Sequence, residues 1–72
     1  MFKLLAWLPG TNNFVAQDQH TKQIGFLIDG EFETAGPWTL GSAISKHDYK
    51  TIQPITIDQG QDANAIAQRL NN

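Results

Sequence analysis

Cysteine is absent from this 72-residue chain, which excludes disulfide staples and removes the thiolates that close most structural zinc sites. A chain of this length buries only about 60–65% of the surface that its unfolded form exposes. Without staples, its stability has to come from a well-packed sheet–helix core or from self-association, and a monomer and a homodimer both satisfy that requirement. The lack of thiols fits a reducing compartment, so the expected location is cytoplasmic.

Basic residues are also few. Five Lys and Arg face seven Asp and Glu, for a formal charge of −2, and Lys3, Lys22, Lys46, Lys50 and Arg69 are scattered. A protein that works by neutralising phosphates carries a clear basic surplus, so general nucleic-acid or anionic-membrane binding is disfavoured. Long apolar runs are missing too. The stretch Leu4-Leu5-Ala6-Trp7-Leu8 stops at Pro9-Gly10, short of a signal-sequence core and far short of a bilayer span. It reads as a buried first strand. Gly36, Gly41 and Gly60 are isolated and no Gly-Lys-Ser/Thr follows them, so there is no phosphate cradle. No cofactor is expected.

What the chain does have is enough apolar residue to fold, 40% hydrophobic with seven aromatics. Residues 1–72 form a single small domain, with neither an internal repeat nor a linker. Residues 2–8 read as a strand covered on both faces, because the apolar run does not alternate. Residues 14–16 suggest a second, short strand, and the polar run from Gln17 to Lys22 an exposed loop.

The strongest local signal is the run Ile24-Gly25-Phe26-Leu27-Ile28, then Asp29-Gly30, then Glu31-Phe32-Glu33-Thr34-Ala35. Asp-Gly between two strand-like runs predicts a hairpin with a type I′ turn. In that register Ile28 faces Glu31, Leu27 faces Phe32 and Phe26 faces Glu33. One face of the hairpin is then firmly apolar and the other mixed. Trp38, Leu40, Ser42 and Ile44 alternate with smaller or polar residues and favour a strand. Leu40, Ala43, Ile44 and His47 also fit a helical stripe with Ser42 as a possible cap, but Gly41 and the pair Trp38-Thr39 tilt the reading to strand. Residues 49–57 read as strand, with Pro54 demanding an edge or a bulge. Ala63, Ile66, Ala67 and Leu70 recur at helical spacing, with Asp62 and Arg69 placed to suit the helix dipole. The expected fold is α+β, a four- to five-stranded, mostly antiparallel sheet with one C-terminal helix packed on one face.

Catalytic chemistry finds little support. Ser45 and His47 share a face on a strand while Asp48 points away, so this spacing contradicts a triad. Asp18, His20, His47 and Asp48 are enough in number for a metal site but lack clustered spacing. Asp29, Glu31 and Glu33 make an acidic hairpin tip that protects an edge or meets a basic partner. The expected function is a small non-enzymatic interaction module, acting through protein–protein contact or self-association. Its interaction candidates are Trp38, Phe32, Tyr49, Glu31 and Glu33. Exposed aromatics are enriched among interface anchors, and Trp38, following Gly36-Pro37, is the leading one. A second reading is a weak single-stranded nucleic-acid binder that stacks bases on Phe14, Phe26, Trp38 and Tyr49 beside Lys22, Lys46 and Lys50. A third, a small metal-dependent enzyme, requires His20 and His47 to converge.

Overall fold

A computed structural model describes residues 1–34, 36 and 39–72. The strands are β1 (Phe2–Trp7), β2 (Phe14–Asp18), β3 (Ile24–Ile28), β4 (Glu31–Thr34) and β5 (Lys50–Ile57), with helices α1 (Leu40–Ser45) and α2 (Asp62–Leu70). All five strands join one antiparallel sheet in the order β4-β3-β2-β1-β5. The fold is α+β. The first four strands form a meander, and the chain then crosses the sheet through α1 to place β5 on the far side of β1.

The hairpin about Asp29-Gly30 has the expected register, with Ile28 opposite Glu31, Leu27 opposite Phe32 and Phe26 opposite Glu33. Both turn residues have positive φ, 52° at Asp29 and 86° at Gly30, as a type I′ turn requires.

The unbroken apolar run of β1 is explained by a bulge. Between Leu4 and Ala6 the partner strand β2 advances by one residue, from Ala16 to Val15, which leaves Leu5 as the extra residue. The bulge resets the alternation, so Leu4 and Trp7 face one side of the sheet while Ala6 and Leu8 face the other. Both sides are apolar because both are covered. On the opposite flank, β5 passes from Ile55 to Thr51 over the same step of β1. Pro54 therefore sits in an irregular stretch of an edge strand, where its missing N–H costs no ladder bond.

The side facing α2 holds the larger core: Leu4, Phe14, Ala16, Leu27 and Ile57 against Ala63, Ile66 and Ala67. Leu4, Phe14 and Leu27 are fully buried, each contributing about 1.5–3 kcal/mol by removal from water. The small Ala63 and Ala67 let the helix lie close to the sheet. Its last turn is fastened by Asn71, whose Oδ1 accepts from the Gly10 N–H at 2.8 Å and whose Nδ2 donates to the Thr11 carbonyl at 3.1 Å.

The sheet is strongly coiled around this core. In a flat sheet β1 and β4 would stand about 14 Å apart. Yet the ring centroids of Phe2 and Phe32 lie 5.2 Å from each other, and a Cβ added at Gly60, just beyond β5, would run into the Gly30 carbonyl.

The opposite face holds Ala6, Val15, Phe26, Ala43 and Tyr49, flanked by Leu8, Ile24 and Ile44. Here the expectation of a strand over Trp38–Ser45 is corrected: Leu40–Ser45 is helical, while Trp38 lies outside the described residues. Thr39, not Ser42, is the cap. Its hydroxyl accepts from the Ser42 N–H at 3.2 Å, and the Ser42 hydroxyl in turn accepts from the Thr39 N–H at 3.0 Å. This reciprocal pair satisfies two backbone donors, and it selects helix over strand for a segment whose side-chain pattern fits either. The expected single helix thus has a companion, one on each face.

Candidate interaction site

Helix α1 is short and leaves part of its face open. Its exit is shaped by Asp48, which takes a left-handed conformation (φ 58°) and lets the Tyr49 N–H return to the Ile44 carbonyl at 3.1 Å. The turn sets Lys46, His47 and Tyr49 against β3 and β4. Between them lies a cleft of about 230 Å³ lined by Asn13, Phe26, Ile28, Glu33, Lys46, His47 and Tyr49. Strand pairing fixes one wall, because Phe26 and Glu33 are register partners and share a face. The floor is aromatic: the Phe26 and Tyr49 rings are tilted with centroids 5.7 Å apart, and the Lys46 ammonium stands 5.9 Å from the Phe26 centroid. At that distance the cation is within reach of the ring quadrupole. Ile28 is 38% exposed at the rim. Burial pushes the Tyr49 phenol above its ordinary value by penalising the phenolate.

Of the sequence-based interaction candidates, two line this cleft. Glu33 is on its wall and exposed, whereas Tyr49 is in the floor and only 6% exposed. Glu31 is exposed at the start of β4. Phe32 points to the α2 side, where its ring lies over Gly25 and against Phe2; its placement is that of a partly buried core residue. The leading anchor, Trp38, falls outside the described residues. Sequence reasoning missed Ile28, Lys46 and His47 as members of one cleft. The legible hint was the mixed face of the hairpin, but finding the cleft needed α1 as a helix.

Of the four rings invoked for base stacking, three are closed off, with Phe14 fully buried, Phe26 at 8% and Tyr49 at 6% exposure; the fourth, Trp38, lies outside the described residues. The two histidines do not meet. His20 follows Asp18, which pairs with Phe2, while His47 precedes Lys50, which pairs with Trp7. They adjoin opposite ends of β1, and those ends are about 17 Å apart along the strand direction. Among the described residues, no group of three or more His, Asp or Glu side chains is placed to hold a metal ion. The Asp18 carboxylate instead accepts from the backbone N–H groups of His20 at 2.8 Å and Thr21 at 3.3 Å. Those bonds favour its charged form and hold its pKa below the usual value.

Comparison with known proteins gives no relative. No family model, no curated protein and no solved structure matches the chain. The site is therefore read from its own chemistry: an aromatic floor, one exposed aliphatic side chain, and a rim that carries both signs of charge. Among the described residues, no helix is long and apolar enough to cross a membrane.

Proposed function

We propose that this domain is a non-enzymatic interaction module that docks a protein surface on its α1 face. The observation that carries this reading is the cleft between α1 and the β3–β4 hairpin, where Ile28 stays exposed above Phe26 and Tyr49 with Glu33, Lys46 and His47 around them. Apolar centres ringed by polar groups are the usual anatomy of a contact surface. An aliphatic or aromatic side chain from the partner fills the centre, while charges of both signs at the rim fix its orientation. A second copy of the chain is the first occupant to test, because a core this small gains most from association. A reducing, cytoplasmic setting belongs to the same proposal and rests on the absence of cysteine.

The test pairs two measurements. Sedimentation over a wide concentration range reports self-association, and a photo-crosslinker at position 47 reports contact with another protein in the native cell. With the crosslinker placed at position 47 on the rim rather than at the anchor itself, the expected result is a mass that rises with concentration, or one dominant crosslinked adduct. Either should be lost in Ile28→Asp and weakened by Glu33→Lys, with the fold intact by amide spectra. A strictly monomeric mass together with no discrete adduct would overturn the reading.

A further inference from the structure

A second groove lies away from the α1 cleft, along the outer side of α2, with a volume of about 530 Å³. Its polar lining consists entirely of primary amides: Asn12 from the loop after β1, then Gln61, Asn64, Gln68, Asn71 and Asn72. On the helix these recur at spacings of three and four, which makes a continuous stripe. Exposed helix faces ordinarily carry Lys and Glu. Here both charged residues of α2, Asp62 and Arg69, lie outside the groove. Ala65 in the middle keeps it open.

The two ends of the stripe are fixed in place. At one end Asn71 is occupied by its bonds to Gly10 and Thr11. At the other, the Asn64 Nδ2 donates to Gln61 Oε1 at 3.1 Å, while the Asn64 Oδ1 is buried without a hydrogen-bond partner. Orphaned buried oxygens are rare in folded proteins, and this one lies in a residue that lines the groove. Between the ends, Asn12, Gln68 and Asn72 have no side-chain hydrogen bond within the described chain.

We propose that this groove binds a neutral polyhydroxylated ligand, a short oligosaccharide. Every primary amide offers two donors and an acceptor with no net charge. A sugar hydroxyl is likewise both donor and acceptor, so neighbouring hydroxyls match neighbouring amides. The side chains that line the groove offer an ionic ligand no counter-charge. A peptide finds neither an apolar socket nor a charge for its side chains. The unpartnered Asn64 oxygen is the acceptor that a ligand hydroxyl would satisfy. With no ring in the lining, binding rests on hydrogen bonds and is expected to be millimolar.

The experiment titrates the full chain with maltotriose and, separately, with triacetylchitotriose, following the side-chain NH₂ resonances of Asn and Gln. Glycerol serves as the control for non-specific polyol effects. Saturable shifts centred on Asn64 and Gln68, with at least one of the two sugars, are the expected result. Gln68→Ala, at an exposed position that the fold does not need, should weaken binding roughly 2- to 10-fold, the worth of one hydrogen bond. No saturable shift with either sugar would overturn the proposal. So would an equal response to glycerol, or affinity unchanged in Gln68→Ala. Shifts that follow protein concentration in the absence of sugar would assign the stripe to contact between copies and would likewise count against it.

Discussion

Tyr49 joins the core to the proposed docking surface, and its phenol makes that junction measurable. The ring packs on Phe26, while the hydroxyl forms no hydrogen bond among the described residues. Because burial raises the folded-state pKa, the unfolded chain releases this proton first as pH rises. Below the unfolded value of about 10, both states are protonated and Tyr49 contributes no pH dependence. Above it, ionisation favours the unfolded chain, and stability falls with pH until the folded value is reached. Tyr49→Phe removes a hydroxyl that makes no hydrogen bond among the described residues, so it should leave stability at neutral pH unchanged or slightly raised and should flatten the decline above about pH 10. Urea midpoints for both proteins at pH 7 to 11 check this. Parallel alkaline limbs would mean the phenol is solvated in the folded state. From sequence alone Tyr49 reads as the first residue of a strand and as an interaction candidate on a sheet face, whereas the ring is buried against Phe26. The left-handed turn at Asp48, which tucks the ring inward, has no signature stronger than a polar residue before it.

At the level of elements, the parts legible in the sequence were those specified by local chemistry. Asp29-Gly30 fixes its own turn, so the β3–β4 register could be written from the residues. The spacing of Ala63, Ile66 and Ala67 fixes the buried face of α2. The strand–helix ambiguity over residues 40–45 was not resolvable by periodicity, because Leu40, Ser42, Ala43 and Ile44 satisfy both templates. The deciding group was Thr39, read as part of a strand. Helix α1 is six residues long, too short to persist on propensity, so its cap and its contact through Ala43 hold it. Thr39→Ala should therefore lower global stability by about 1 kcal/mol. It should also loosen the cleft wall at Lys46 and His47, seen as faster amide exchange there than in β1 or β2. Thr39→Ser or Thr39→Asp should restore both. A stability loss with exchange unchanged at residues 46–47 would show that the cap does not govern the cleft.

For the whole molecule, the decisive feature is that a sheet with β4 and β5 as its outer strands coils until its far parts touch. Phe2 on β1 meets Phe32 on β4, and Gly60 meets Gly30, with α2 lying over the enclosed core. No local pattern predicts this, since the contacts join residues 30 positions apart in sequence and depend on the accumulated twist of all the strands. If the two contacts are parts of one closure, disturbing either should weaken the other. An added methyl at Gly60 meets the backbone oxygen of Gly30, which cannot swing aside as a side chain would. Gly60→Ala should cost about 1–3 kcal/mol, the range for overpacking. Phe2→Leu removes the ring pair and part of the buried area, for roughly 1 kcal/mol or somewhat more. In the double variant the costs should fall short of their sum by more than about 0.5 kcal/mol, because a sheet already opened at one contact has less to lose at the other. Additivity within about 0.3 kcal/mol would instead mean that the two contacts form independently. In that case the coil would be set strand by strand, and α2 would cover a surface that was already shaped rather than helping to draw it closed.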